Sequence, residues 1–365
     1  MSAPVSHLGT LHGFRRADGR VGIRNHVVVA AASVNMNPLV RQVAAAVPGV
    51  VPLPAGYGRG QLGDDLECTL RAMSGLLAHP NVGGALVISF EPATAARLAE
   101  RVEARGRSIE TLSFLELGGR TPALERACAA AGGLLEASAA EERVAFGPEE
   151  LVVGLECGGS DTTSGLLGNP SLGRLADGLL EAGATLVFSE PVECIGGEAL
   201  LEERAVSPDA AAGLRRAIDH YRDIALDQGI DLTGTNPTAD NIAGGLTTIE
   251  EKSLGAIAKT GSGPIQGALD YARPPPGPGL WLMSAPAEAT ENLTALAAGG
   301  AQLAVFVTGS GNPVGHPSRR RSRSAPTRTR SPCWASTSTS ISPTACGPVS
   351  TRRPAVGASV QPSPA

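Results

Sequence analysis

A cysteine and three short polar side chains follow a predicted buried strand at residues 151–155. They stand in the sequence ECGGSDTTSG as Cys157, Ser160, Asp161 and Thr162. A thiol and a carboxylate can bind a metal or move a proton, and the glycine pair between them allows a ligand to approach the backbone closely. Two simpler interpretations stay open. In the first, Cys157 is a small buried core residue. In the second, Asp161 and Thr162 cap the next helix or turn.

Three glutamates follow a second predicted strand, at residues 184–188, and these are Glu190, Glu193 and Glu198. Open α/β sheets build active sites where the carboxyl ends of neighbouring strands meet, so we expect these acids to lie near Cys157. Thiol, carboxylate and hydroxyl groups suit a metal and a hydroxy acid better than a phosphate. We predict that Asp161, Glu190 and Glu193 are the acid/base or metal groups. Glu198 could equally serve as an acid at a helix N-terminus.

Two further segments carry groups that could hold a small acidic substrate. GRVGIRN contains Arg20, Arg24 and Asn25, and arginine binds a carboxylate or sulfonate with a planar fork. Structural salt bridges are the alternative for these arginines. GYGRGQ contains Tyr57 and Arg59 in a glycine-rich loop after a strand, but its glycine spacing is not that of a phosphate loop or a dinucleotide fingerprint. We predict substrate-binding roles for all five, together with those of Ser160 and Thr162.

Composition restricts the class of protein. The chain has 365 residues, which predicts two domains, and 42% of them are hydrophobic while only 3% are aromatic. A net charge of −5 argues against nucleic acid as the main partner. The sequence shows no apolar run of membrane-spanning length and no secretory leader. Six scattered cysteines predict reduced thiols and a cytoplasmic protein.

Predicted strands and helices alternate along the chain, which indicates an α/β fold with mostly parallel sheets flanked by helices. We predict a lead-in at residues 1–12, an N-terminal α/β domain at 13–145 and a C-terminal catalytic α/β domain at 146–317. A charged link at residues 141–149 marks the boundary. No glycine fingerprint follows any strand, and its absence argues against a nucleotide-binding dehydrogenase.

The composition changes abruptly at Ser318. Residues 318–365 contain eight arginines and no lysine, aspartate or glutamate, and they show no helical or strand periodicity. A disordered tail and a basic arm for an acidic partner are two interpretations. We favour a third: the codons of the segment around Cys333 permit an ordinary globular sequence in another reading frame. The tail is then the product of a frameshift near Ser318.

Six ordered segments resemble the altronate/galactarate dehydratase family. They cover nearly all of residues 13–317, and together they are much more specific than any one motif. The segments are GFRRADGRVGIRNHVVV, HPNVGGALVIS, ECGGSDTTSGLLGNPSLGRLAD, SEPVECIGGE, NPTADNIAGGLTTIEEKSLGAIAKTG and FVTGSGNPVGHP.

Within that family, YGRGQLGDDLE and the pair Glu91-Pro92 are more similar to the large (beta) subunits of (2R)-sulfolactate sulfo-lyases. The sugar-acid dehydratases have a His-Gly-x-Gly-Cys loop where this chain has Ala55-Gly56-Tyr57-Gly58-Arg59. They also have Gly-Cys-Glu at Ser89-Phe90-Glu91. Two family cysteines are therefore replaced here, while Cys157 is retained.

The resemblance implies a lyase that removes the C2 proton of a 2-hydroxy acid and a leaving group from C3. It implies Fe²⁺ as the cofactor, and we predict Cys157, Glu91 and Glu198 as the metal ligands. Sulfite leaves readily without a general acid, so a sulfo-lyase does not need one. A family cysteine replaced by Arg59 therefore suits a sulfonated substrate. We predict (2R)-3-sulfolactate, which would yield pyruvate. The alternatives are a sugar-acid dehydratase and an inactive subunit that binds only its partner. The resemblance also implies a small β-rich partner subunit, and the oligomeric state is left open.

Overall fold

The computed structural model describes residues 10–312 and 314. In chain order the strands are β1 (Leu11–Arg15), β2 (Val21–Gly22), β3 (His26–Ala31), β4 (Val50–Leu53), β5 (Val82–Ser89), β6 (Glu110–Ser113), β7 (Val144–Phe146), β8 (Val152–Cys157), β9 (Thr185–Phe188), β10 (Ile265–Leu269), β11 (Gly279–Met283) and β12 (Leu303–Val307). The α-helices are α1 (Asn37–Ala46), α2 (Gly63–Leu77), α3 (Pro92–Glu103), α4 (Arg120–Ala139), α5 (Asn169–Glu181), α6 (Glu198–Glu202), α7 (Pro208–Asp227), α8 (Leu232–Thr235), α9 (Ala239–Ala243), α10 (Ile249–Ile257) and α11 (Ala289–Ala298).

The first parallel sheet has four strands in the order β4-β3-β5-β6. Strand β3 reads HVVVAA, a continuous apolar run, because helices cover both faces of the sheet. Val27 and Val29 pack in one apolar cluster with residues of α1 and α4. Val28 and Ala30 point to the other face and pack with residues of α2 and α3. This alternation is the period-two geometry of a strand.

The second parallel sheet has five strands in the order β10-β11-β9-β8-β12. Strands β8 and β9 are consecutive neighbours, whereas β12 joins the sheet on the opposite side of β8. The strand order therefore reverses at β8, which is the place where open α/β sheets bind their ligands. Val153, Leu155 and Phe188 face the larger apolar cluster, which includes Leu172 of α5 and Ile257 of α10.

A small antiparallel sheet, β2-β1-β7, pairs two strands that precede the first parallel sheet with one strand that lies between the two parallel-sheet segments of the chain. Its strands were not predicted, because the segment around β1 and β2 is polar and rich in turn residues. Strand β10 was also missed, since the isolated glycine Gly267 interrupts its apolar pattern. Residues 236–248 are polar and rich in turn residues, and they contain the short helix α9.

The predicted α/β class with mostly parallel, helix-flanked sheets is confirmed. Among the described residues, no helix combines the length and apolar character needed to cross a membrane. The predicted domain limits stay predictions, and the arginine-rich tail from Ser318 lies outside the described residues.

Candidate functional site

Cys157 and Glu190 meet at the carboxyl edge of the second sheet. Cys157 is the last residue of β8 and pairs across the ladder with Val307 of β12. Glu190 comes two residues after β9 ends, and a short 3₁₀ turn, Pro191–Cys194, follows it. The loops after β8 and β12 are joined by hydrogen bonds from the amides of Gly309 and Ser310 to the carbonyl of Gly159. The site therefore lies where the strand order reverses.

Three candidate metal ligands form a buried cluster. Sγ of Cys157 lies 3.3 Å from Oε2 of Glu193 and 3.8 Å from Oε2 of Glu190. The Cys157 amide also donates a hydrogen bond of 3.3 Å to Oε2 of Glu190. The exposed fraction is 1% for Cys157, 0% for Glu190 and 7% for Glu193, so the cluster is closed to solvent. Among the described residues, these three form the group whose potential ligand atoms lie close enough together, within 4.8 Å of one another, to hold one metal ion.

Lys259 adds a positive charge at the centre of this cluster. Its Nζ lies 3.0 Å from Sγ of Cys157 and donates a short hydrogen bond to Oε2 of Glu190. The lysine stands in a 3₁₀ turn, Ala258–Thr260, directly after α10, and it is fully buried. A buried ammonium requires charged partners of opposite sign, and the two acids provide them.

Lys252 approaches the same cluster from its outer side. Its Nζ lies 3.1 Å from Oε1 of Glu193, 3.0 Å from Oδ1 of Asn236 and 3.1 Å from Oδ1 of Asn241. Asn241 in turn donates a 3.0 Å hydrogen bond to the carbonyl of Ser160. Lys252 therefore connects the acid cluster to the segment at residues 236–248 and, through Asn241, to the loop that follows Cys157.

Glu156 is a further buried acid, on the opposite face of the sheet. Neighbouring strand residues point to opposite faces, so Glu156 lies on the α11 side, whereas Cys157 lies on the α10 side. Ser189 connects Glu156 to α11: its hydroxyl lies 3.5 Å from Oε2 of Glu156 and 2.7 Å from Oδ1 of Asn292. Oε1 of Glu156 is buried and has no hydrogen-bond partner within the described part of the chain.

Burial controls the protonation of the cluster. It raises the pKa of Glu190 to about 7, and Glu193 adds to the rise, while Lys259 opposes it. Burial also raises the pKa of Cys157 well above its ordinary value, and the charge of Glu190 acts in the same direction. For Lys259, burial lowers the pKa, but the negative charges of the ionised forms of its neighbours outweigh burial and raise the pKa well above its ordinary value. The cluster therefore favours a protonated thiol and a charged lysine when no metal is bound.

Local backbone geometry fixes the positions of Glu190 and Lys259. Glu190 has φ 69°, a left-handed conformation that costs a non-glycine residue free energy. The amide of Glu193 donates a 2.9 Å hydrogen bond to the Glu190 carbonyl and closes the turn. On the other side, a Cβ atom at Gly173 of α5 would lie 2.2 Å from the carbonyl oxygen of Ala258. Glycine at this position therefore lets α5 approach the turn that carries Lys259.

The predicted groups Asp161, Ser160 and Thr162 lie in the loop after Cys157. Oδ1 of Asp161 accepts hydrogen bonds from the Ser164 amide (2.8 Å) and the Thr163 hydroxyl (2.7 Å). This is the capping arrangement that the sequence left open. Thr162 donates to the carbonyl of Gly244, and the Ser160 carbonyl accepts from Asn241. Their roles with a substrate stay predictions.

Glu198 begins α6 outside the buried cluster. One carboxylate oxygen accepts a 2.9 Å hydrogen bond from the Gly196 amide. The other lies 3.7 Å from Nη1 of Arg215 and 3.6 Å from Nη1 of Arg222. Its predicted role as a metal ligand is not tested by these contacts, which fix it as a paired acid at a helix N-terminus.

Arg20, Arg24 and Asn25 lie at the amino end of β3, at the edge opposite the carboxyl ends. Arg20 binds Asp18 and donates to the carbonyl of Ala78 at 2.7 Å, and Arg24 donates to the carbonyl of Ile23. Asn25 donates to the Ser138 carbonyl at 2.7 Å. The structure does not bring these side chains to the Cys157 cluster, and their substrate-binding role stays a prediction.

Tyr57, Arg59 and Glu91 group at the carboxyl edge of the first sheet. The guanidinium carbon of Arg59 lies 4.8 Å from the centre of the Phe90 ring. Glu91 caps α3: its carboxylate accepts hydrogen bonds from the amide and hydroxyl of Thr94. Those Thr94 bonds, with a smaller contribution from Arg59, lower the pKa of Glu91. The metal-ligand role predicted for Glu91 is not tested by these contacts.

A cleft of about 650 Å³ separates the two sheet edges. Tyr57 and Leu53 line it from the first sheet, and Pro286, Leu293 and Val314 line it from the second. Segments that follow β4, β11 and β12 therefore border this cleft, and its lining includes neither the Cys157 cluster nor Arg59.

Sequence reasoning missed both lysines, Glu156, Ser189 and Asn292. A signal for the lysines was present: the chain contains only two lysines among its 30 basic residues, Lys and Arg together. Both stand in the segment IEEKSLGAIAKTG, seven residues apart, which is about two helical turns. Lysine is therefore a rare residue type in this chain, and its two occurrences in one short segment were the available signal.

The cluster suits a divalent metal. A thiol and two carboxylates match the ligand preferences of Fe²⁺ or Zn²⁺, and a bound ion deprotonates a coordinating thiol. Oε1 of Glu190 is fully buried and has no hydrogen-bond partner among the described residues, so it is available to a further cation or to a proton.

Two family profiles match consecutive parts of the chain. Residues 13–139 match the profile described as D-galactarate dehydratase/altronate hydrolase, second domain. Residues 148–320 match the one described as D-galactarate/altronate dehydratase, C-terminal.

Full-length relatives are similar over the same region. The (2R)-sulfolactate sulfo-lyase subunit beta of Chromohalobacter salexigens is 39% identical over 310 residues, which cover 84% of this chain and 79% of that protein. The altronate dehydratase of Bacillus subtilis is 35% identical over 84% of this chain, and that of Escherichia coli is 33% identical over 83%. The chain spans 63% of the length of either altronate dehydratase.

Proposed function

Because this chain belongs to the D-galactarate/altronate dehydratase family, we propose that it is a metal-dependent lyase that acts on a small 2-hydroxy acid. The observation that carries the proposal is the buried cluster of Cys157, Glu190 and Glu193 at the carboxyl edge of the second sheet. A divalent ion bound there, with Fe²⁺ as our choice, would stabilise the negative charge that develops when a 2-hydroxy acid loses its C2 proton.

Glu190 is the base in this proposal. Oε1 of Glu190 is buried and has no hydrogen-bond partner among the described residues, so it is available to accept the proton. Cys157, Glu193 and the other carboxylate oxygen of Glu190 would hold the ion. Lys252 fixes the orientation of Glu193 by binding its outer oxygen.

We propose (2R)-3-sulfolactate as the substrate. Glu190 takes the proton from C2, the C3–S bond breaks, and its electron pair leaves with sulfite. The enol that remains then tautomerises to pyruvate. Arg59 supports this choice, because its guanidinium stands at the edge of the first sheet and is suited to bind a sulfonate. The similarity to the sulfo-lyase subunit supports it as well.

A sugar acid is the second candidate substrate, supported by the altronate dehydratases among the relatives. Hydroxide would then leave from C3, and it would need a proton from a general acid. The third possibility is that the chain is an inactive subunit, and turnover by the Fe²⁺-loaded protein would exclude it. Since the similar sulfo-lyase chain is named a beta subunit, we also propose a small partner subunit for this chain.

The test is an assay of the chain co-expressed with the small subunit of a sulfo-lyase and loaded with Fe²⁺ without oxygen. Two forms are compared: the sequence as printed, and a form with the reading frame restored after Ser318. Equal amounts of sulfite and pyruvate from (2R)-3-sulfolactate would support the proposal. If a keto acid formed only from altronate or galactarate, a sugar acid would be the substrate and sulfolactate would not. No turnover by a folded, iron-loaded complex would contradict the lyase.

A further inference from the structure

We propose that Lys259 occupies the cation position of the metal-free site and that a divalent ion binds by displacing its ammonium group. The inference rests on the proposed function in one respect: it takes Cys157, Glu190 and Glu193 as the metal ligands.

Lys259 uses the same acceptor atoms that a metal would use. Its Nζ lies 3.0 Å from Sγ of Cys157 and is hydrogen-bonded to Oε2 of Glu190. Sγ is the ligand atom that Cys157 offers to a metal, and Oε2 is the Glu190 oxygen that lies 3.8 Å from it. An ammonium and a divalent ion repel each other, and neither can bind these atoms while the other holds them.

Burial makes the exclusion strict. Cys157, Glu190 and Lys259 are all shielded from solvent, so water does not screen the charges or supply alternative ligands. Two buried acids without a cation would also destabilise the fold. A lysine that neutralises these acids until the metal arrives removes this cost.

Lys252 provides an internal comparison. It is the other lysine of the chain, it precedes Lys259 by two helical turns, and it also binds an acid of the cluster. Its Nζ contacts Oε1 of Glu193, however, whereas Oε2 of that carboxylate faces Cys157. Lys252 therefore leaves the ligand atoms free. Removal of either lysine changes the charge near the cluster equally, but only Lys259 blocks the metal position.

The first experiment measures Zn²⁺ affinity at one fixed pH for the full chain and for two variants, Lys259→Met and Lys252→Met. Methionine keeps an unbranched stem and removes the charge. We expect Lys259→Met to bind Zn²⁺ at least about tenfold more tightly than Lys252→Met, a ratio within the usual range of coupling between two sites. Equal gains in the two variants would mean a charge effect alone and would overturn the displacement.

The second experiment uses the wild-type chain, so it does not depend on the folding of a variant. Lysine labelled with ¹³C at Cε gives two side-chain signals, because the chain has two lysines. Zn²⁺, which is diamagnetic, should shift the Lys259 signal much more than the Lys252 signal, and Cys157→Ser should weaken this response. Zn²⁺ binding with an unchanged Lys259 signal would overturn the inference and leave the metal site intact. If neither the wild type nor Lys259→Met binds Zn²⁺, the metal site itself is wrong.

Discussion

Nζ of Lys252 lies 3.1 Å from one carboxylate oxygen of Glu193, while the other oxygen of the same carboxylate lies 3.3 Å from Sγ of Cys157. Glu193 therefore joins a charged lysine on its outer side to the thiol on its inner side. A carboxylate held from one side presents its second oxygen in a fixed direction, as the supporting hydrogen bonds of metal ligands do.

Replacement of Cys157 by serine should weaken metal binding. Loss of a group that merely supports a ligand costs about 10–100-fold in affinity, so loss of a ligand should cost at least that much. Cys194 is the matched control, because it is also buried and close to Glu190 but contacts only its backbone carbonyl, at 3.8 Å. The check is the metal content after dialysis, together with a Zn²⁺ titration. Equal losses in Cys157→Ser and Cys194→Ser would mean that the thiol is structural.

Glu190→Gln should reduce kcat for the proposed reaction by about 10²–10⁴-fold, the usual contribution of a general base. The side chain keeps its size, and Glu202→Gln, at a surface acid that binds Arg215, serves as the control. Steady-state sulfite release from iron-loaded protein measures the effect. A Glu190→Gln enzyme with at least half the wild-type kcat would remove this residue from the proton transfer.

The stability of the metal-free protein should fall as the pH rises from about 4.5 to about 7. Burial raises the pKa of Glu190 from 4.5 to about 7 in the folded chain. The protonated group therefore contributes stability that is complete below pH 4.5 and is lost as the pH rises through the folded pKa. A shift of this size corresponds to roughly 3 kcal/mol.

Urea unfolding of the wild type and of Glu190→Gln at pH 5 and pH 8 tests this pH dependence. The difference between the two proteins cancels the titration of the other groups. The wild type should lose more stability than the variant between these two pH values. A variant with the same pH dependence as the wild type would show that Glu190 titrates normally.

Arg59→Ala should raise KM for (2R)-3-sulfolactate by roughly 10–150-fold, because a charge-assisted hydrogen bond contributes about 1.5–3 kcal/mol. KM for a sugar acid should change much less, since that substrate has no sulfonate. Arg101→Ala, at a surface arginine that binds Glu67, is the control. Similar changes in KM for both substrates would contradict a role of Arg59 in substrate choice.

Gly173→Ala should destabilise the fold, because the added Cβ would lie 2.2 Å from the Ala258 carbonyl oxygen next to Lys259. Crowding of this kind costs about 1–3 kcal/mol. Gly132→Ala in α4 is the control: nothing lies within 4 Å of its added Cβ, and alanine stabilises an open helix position by up to about 1 kcal/mol. Thermal unfolding measures both variants. A neutral Gly173→Ala would mean that α5 can move away from the turn.

Sequence by itself determined the α/β class, and it predicted that Cys157 and two glutamates lie together. The apolar runs of β3 and β8 identify strands buried on both faces, and the position of Cys157 and Glu190 after their strands places them at one sheet edge. These are local properties: period, composition and the end of a strand can all be read along the chain. The segments β1, β2 and β10 could not be read in this way, since their apolar patterns are too short or are interrupted.

Only the tertiary structure decided which of the candidate groups meet. Glu190, Glu193 and Glu198 are close in sequence, yet the first two turn inward to Cys157, and Glu198 pairs with Arg215 and Arg222 instead. Lys259 stands 102 residues from Cys157, and its ammonium reaches the thiol because α5 and the turn at 258–260 pack closely at Gly173. Contacts of this kind depend on packing between distant segments. The physical reason is that burial, not sequence spacing, selects which charges must be paired.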